Sequence, residues 1–211
     1  MNSLTIRLVL ALVFMGLPML GGCGAMLDPG APPSVYQLNP DLPPKVHGQK
    51  LKLQLAVVQP TANDMLGTNR VVTRYADGEI RIWKGVSWVS PSSVMMQNLL
   101  VQAYQNVGLF TAMPQSTLGY TADYRLISDL REFTVILDET DSPAYVEVQL
   151  GVYLVGLDGG LSLGYLNSAS RVKVEGAGFS NVLAAFNTAM GSCLKEICQW
   201  SVELLQATGQ R

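Results

Sequence analysis

The chain has 211 residues, 48% of them hydrophobic and 14% charged, with a formal net charge of −2. That is enough apolar sequence for one ordinary domain, and it excludes a disordered tail or a polybasic nucleic-acid binder. One histidine and three cysteines exclude multi-histidine metal sites and four-cysteine zinc modules, so neither a resident metal nor a nucleic-acid partner is expected.

Residues 1–22 have the three parts of a secretory signal: a short polar start with Arg7, an apolar run over 8–20, and small residues after it. The run is shorter than the roughly 20 apolar residues of a spanning helix. It ends in Leu20-Gly21-Gly22-Cys23, which resembles the lipobox of bacterial lipoproteins. That resemblance implies cleavage before Cys23, a diacylglycerol thioether on its sulfur and N-acylation of the new terminus; beyond this covalent lipid no cofactor is expected. The alternative is a buried cysteine closing an uncleaved apolar segment. Arg7 is the only charged side chain lost on cleavage, so no polybasic signal assists the lipid in anchoring. Gly24 stands where an aspartate would favour inner-membrane retention in enterobacterial lipoproteins. The expected address is therefore the outer membrane of a Gram-negative bacterium, facing the periplasm.

Six of the eleven prolines fall between residues 24 and 44. Residues 23–33 are expected to form a lipidated, semi-rigid tether, and residues 34–211 a single domain. Residues 35–38 are a short strand candidate. Leu51, Leu53, Leu55 and Val57 alternate with Lys52, Gln54 and Ala56, predicting a half-buried strand with one polar face, stopped by Pro60. Residues 71–75 and 80–83 flank Ala76-Asp77-Gly78-Glu79, a hairpin signal. Ser90 as cap and Pro91 at the first helical position then predict a helix to about Val107, ended by Gly108. Its buried face carries Met96, Leu100, Tyr104 and Val107; Gln97, Asn98, Gln102, Gln105 and Asn106 lie largely opposite. Residues 124–137, 144–157 and 163–174 predict a three-strand meander, and residues 181–207 a long final helix capped by Ser180. The order predicts an α+β two-layer sandwich: a mainly antiparallel sheet with two main helices packed on one face.

Tyr36-Gln37-Leu38 after the lipobox, the strand ending in Gln59-Pro60, the hairpin over 75–88, the helix ending Gly108-Leu109-Phe110, and Asp123-Tyr124-Arg125-Leu126 with Phe133 are together similar to the ABC-type transport auxiliary lipoproteins. The resemblance implies an outer-membrane component of a lipid transport system. It further implies a periplasmic Mce-type partner and, through it, an ABC permease and ATPase. A polar loop over 115–121 and two cysteines in the final helix depart from the pattern.

Chemistry of the chain's own is hard to assemble. His47 is the single histidine and lies in a loop, where a Ser-His-Asp or Cys-His catalyst would need a pocket. Asp138, Glu139 and Asp141 lack EF-hand spacing and predict a solvated turn. Gly156, Gly159 and Gly160 lack the lysine of a phosphate loop. Cys193 and Cys198 stand five apart on a helix, which points their side chains apart and predicts reduced thiols. Tyr75, Trp83 and Trp88 concentrate aromatics around the hairpin, and an exposed tip at Lys84-Gly85 makes these five residues the candidate partner contact, although either tryptophan taken singly fits the core beneath the helix better than an interface. The final helix is apolar on several sides, and a remainder could make a contact between copies. A second reading, an outer-membrane lipoprotein that activates a cell-wall synthase or pilots a secretin, uses the same tether and small domain.

Overall fold

The computed structural model describes residues 32–208 except Gln49, Leu118, Tyr120, Asp158 and Gly159. The signal segment, Cys23 and Gly24 lie outside the described residues, as do parts of the 115–121 loop and the glycine turn at 158–160.

The longest elements come from the clearest alternation. Strands β7 (Tyr124–Leu137), β8 (Pro143–Gly156) and β9 (Ser162–Lys173) form the expected antiparallel meander. Residues 126, 130, 150, 152 and 154 turn inward and are buried, while 125, 127, 149 and 153 turn to the other face. Each buried leucine or valine stabilises the fold by about 1.5–3 kcal/mol relative to exposure.

Strand β7 also organises the first half of the chain. Strands β2 (Gln54–Val57), β3 (Thr61–Ala62) and β4 (Arg70–Arg74) lie end to end along it, all parallel, with Leu55 opposite Tyr124, Thr61 opposite Asp129 and Val72 opposite Thr134. Strand β5 (Ile80–Trp88) returns antiparallel to β4. Strands β1 (Ser34–Tyr36) and β6 (Thr111–Pro114) close the two sides, parallel to β5 and β2 respectively. The result is a nine-stranded sheet in which the long ladders are antiparallel and the short ones parallel. Ala56, expected on a polar face, is buried, and β2 is an interior strand, paired with β6 on one side and β7 on the other.

Helices α1 (Ser92–Val107) and α2 (Phe179–Thr208) complete the α+β sandwich. Pro91, not Ser90, occupies the cap of α1, with φ −50° and ψ 139° and no side-chain cap bond. Gly108 ends the helix as expected, left-handed at φ 73° with its N–H donating to the Tyr104 carbonyl. Gln97 is buried rather than solvated, because its Nε2 donates to the Val57 carbonyl at 2.9 Å. Helix α2 begins two residues before the expected start, so Ser180 lies inside it. Its first residue, Phe179, is held by rings of Tyr36, Trp83 and Trp88 at centroid distances of 4.5, 5.6 and 5.9 Å.

Residues 38–46 form a strap bonded first to α2 and then to α1. Asn39 N–H donates to Asn187 Oδ1, Asn106 Nδ2 donates to the Pro43 carbonyl, and Val46 N–H donates to the Val107 carbonyl. Proline suits this path, since an extended segment lying on helices has few backbone donors to satisfy.

Candidate functional site

The tip of the β4–β5 hairpin is Ala76-Asp77-Gly78, where Gly78 takes φ 91°. Lys84-Gly85 is not the tip. The pairing shifts from Val72 opposite Ile82 to Arg70 opposite Ser87, so β5 bulges between them, with Gly85 at φ 76°. The bulge leaves Lys84 and Gly85 exposed on the flank of the sheet, and it redirects the aromatics. Trp83 is half-buried with its edge to Phe179. Trp88 is 1% exposed and packs against Phe133 and Phe186, both at 5.2 Å. Trp88 therefore has no surface for a partner, which corrects its place in the candidate contact.

Tyr75 is half-buried beside the tip, and Arg81 covers its ring at 4.6 Å from the centroid. Arg81 grips Glu79 through Nε and Nη2 at 2.8 and 3.1 Å, and its Nη1 donates to the Tyr75 hydroxyl. Bonding to Glu79 raises the guanidinium pKa further. The neighbouring β7–β8 turn is built on Asp138, whose Oδ1 accepts from the Thr140 and Ser142 amides and the Thr140 hydroxyl. These bonds, the Thr140 hydroxyl first, lower the Asp138 pKa. Hairpin and turn enclose a cleft of about 780 Å³ lined by Tyr75, Asp77, Leu137, Asp138, Glu139 and Thr140.

The face of the meander away from the helices carries polar side chains over a glycine. A Cβ on Gly151 would stand 2.5 Å from Asp129 Oδ1 and 2.7 Å from Arg131 Nη2. Only glycine leaves room there for that ion pair to lie across the sheet, with Arg131 reaching the Tyr165 hydroxyl at 2.6 Å. Sequence reasoning missed this arrangement; the one signal was a glycine inside an otherwise strand-forming run. At the end of the molecule opposite the hairpin tip, a second cavity of about 560 Å³ is walled by Leu51, Leu53, Leu161, Leu163 and Leu205, with Lys52 and Asp123.

His47 is exposed in its loop. Among the described residues no group of three or more His, Cys, Asp or Glu side chains could hold a metal ion. Cys193 and Cys198 are free and buried on a helix that continues through Gly191-Ser192. Burial pushes their thiols up to about 11 and about 12, which makes them poor nucleophiles.

An uncharacterised protein of Bradyrhizobium diazoefficiens is 29% identical over 188 residues, covering 87% of this chain; the chain spans 49% of that relative's length. A solved structure of a DUF330-family protein from Xanthomonas campestris superposes with a TM-score of 0.76 at 21% identity, over 84% of this chain and 99% of its own. Another, of an uncharacterised protein, gives 0.58 at 18% identity, over 80% of this chain and 98% of its own. Both share the sandwich fold. A family model described as "ABC-type transport auxiliary lipoprotein component" matches residues 36–198, from the last residue of β1 to the second α2 cysteine, and the chain belongs to that family.

Proposed function

We propose that the chain is a noncatalytic outer-membrane lipoprotein, acylated on Cys23 and directed by Gly24, that docks a periplasmic Mce-type protein of an ABC lipid transport system. The observation that carries this reading is the family match over residues 36–198 behind a lipobox-like Leu20-Gly21-Gly22-Cys23. Membership of an auxiliary family supports a part in transport without turnover of its own. Residues 23–33 tether the 34–211 body, and the permease and ATPase are reached through the Mce-type partner. Docking uses the flank of the hairpin, where Tyr75, Trp83, Lys84 and Gly85 retain exposed surface.

Crosslinking in intact envelopes, followed by detergent extraction and capture of the tagged chain, tests the reading. An Mce-domain protein is the expected co-purifying partner, and Lys84→Glu reduces its recovery. Recovery of a penicillin-binding protein or a secretin instead replaces this reading with cell-wall synthase activation or piloting. Metabolic palmitate labelling that persists in Cys23→Ala removes the lipid anchor.

A further inference from the structure

We propose that β9 is a pairing edge: a second copy of this chain adds its own β9 antiparallel to it about a two-fold axis, so that the sheet and the α2 layer both continue from one copy into the next. Strand β8 is bonded to β7 on one side and to β9 on the other, whereas β9 is bonded to β8 alone. Among the described residues no loop backbone bonds to β9 from outside. An open strand edge is a row of unpaired N–H and C=O groups, and what satisfies such a row is another strand.

Folded proteins blunt exposed edges by shortness, proline, bulges or charge. Strands β1, β3 and β6 follow that rule, with three, two and four residues, the last ending in Pro114. Strand β9 does not. It has twelve residues and no proline, a span of about 40 Å. Its register with β8 runs without a shift from Gly164 to Lys173, and residues 164–170 carry no charge on either face.

Two features select a second copy over an isolated extended peptide. The first is charge. The cations of β9, Arg171 and Lys173, lie at one end, and the strand has no acidic residue. Parallel pairing of two copies sets like charges opposite one another, which is destabilising. Antiparallel pairing centred on Ser168 or Ala169 instead sets Arg171 opposite Tyr165 or Asn167 of the second copy.

The second feature is the helix beneath. Helix α2 runs antiparallel to β9: Gly164 lies over Leu204 and Trp200, the Ser168 hydroxyl donates to Glu196, and Cys193 reaches across to the Val148 carbonyl of β8. Its axis therefore lies beneath the β8–β9 pair. A two-fold axis normal to the sheet stands half a strand spacing outside β9, which sets the two α2 axes about 10 Å apart. Packed helices lie about 8–10 Å apart. A second copy thus fills both layers at once, and Trp200 and Leu204, half-buried on that flank, gain cover that a lone peptide would not give. The pairing uses the side of the sheet opposite β5, so it neither needs nor excludes the docking proposed above.

The experiment uses the full chain purified from envelopes in detergent. Light scattering should give the protein mass of a dimer, and hydrogen exchange should show the amides of residues 164–173 protected in the dimer and released on dilution together with the fall in mass. Ala169 is exposed, so Ala169→Lys and Ala169→Glu should each fold. Each alone should weaken the dimer by roughly tenfold through like charges near the axis, and an equimolar mixture of the two should restore it. A monomer at every concentration overturns the proposal, as does a dimer whose β9 amides exchange at the monomer rate. Like-charge variants that pair as well as the native chain, or an oligomer larger than two, overturn the two-fold arrangement. Protection of β9 that appears only on adding envelope protein overturns self-pairing in favour of a strand from a different protein.

Discussion

Gly191 of α2 passes so close to the strap that a Cβ there would stand 3.1 Å from the Asp41 carbonyl oxygen. The neighbour is backbone, held on one side by the Asn39–Asn187 bond, so it has little freedom to withdraw. Gly191→Leu is expected to lift the strap and cost about 1–3 kcal/mol, the usual penalty of overpacking. Urea denaturation of the full chain checks this. An unchanged midpoint would mean that the strap yields without loss.

The two hairpin tryptophans are expected to respond differently. Trp88 is enclosed by Phe133, Phe179 and Phe186, so Trp88→Ala should cost about 3–5 kcal/mol. Trp83 retains exposed surface, and Trp83→Ala should cost roughly 1–2 kcal/mol while weakening partner capture. Parallel thermal melts and pull-downs separate the two; a larger loss of stability at Trp83 would contradict the burial order.

Stability is expected to fall in alkali. Well below the unfolded thiol pKa of about 8.5 both folded and unfolded chains keep Cys193 and Cys198 protonated, and the contribution of these groups is complete. Above that, the unfolded thiols ionise first, while burial holds the folded ones up to about 11 and about 12. Each thiol then removes up to about 1.4 kcal/mol per pH unit until its folded pKa is passed. Buried Tyr104, raised well above 10 mainly by burial, adds to the loss from its own unfolded value upward. Denaturation midpoints between pH 8 and 12 should show this slope. The Cys193→Ala, Cys198→Ala double variant should show a shallower one, measured from its own lower plateau.

Gly151→Ala is expected to behave unlike Gly191→Leu. The atoms its Cβ meets are the ends of the Asp129 and Arg131 side chains, which can swing into water. An exposed ion pair contributes about 0–1 kcal/mol, and replacing a strand glycine returns about 0.5–1 kcal/mol. The melting temperature should stay nearly constant, and a drop comparable to a core substitution would show that the pair is structural.

The meander, both helices and the hairpin turn were legible because each is encoded locally, by period-2 alternation, by a 3.6-residue stripe or by Asp77-Gly78. The parallel alignment of β2, β3 and β4 along β7 was not, since nothing within four or five residues specifies which distant strand they meet. Gln97 looked solvated because its partner, the Val57 carbonyl, is forty residues away. The site was misjudged for a related reason. Lys84-Gly85 has the composition of a turn, but once Gly78 had closed the hairpin, Gly85 supplied a bulge, which turned Trp88 inward. The leucines that wall the far cavity come from the segment before β2, the β8–β9 connection, β9 and α2, and no single window of sequence brings them together.

The three-residue strand β1 gives the body a mechanical direction. Its bonds to β5 run in parallel register, Ser34 to Tyr36 beside Val86 to Trp88, and the chain then continues into the strap. Tension applied at Pro33 along the strand axis loads those bonds together, in shear. The same tension applied sideways would open them one at a time, like a zip. Were the body held from its N-terminal side, as the proposed anchor would hold it, it would resist being drawn lengthwise and yield to being peeled, so the angle of pull at β1 would set how much load the sheet edge can carry.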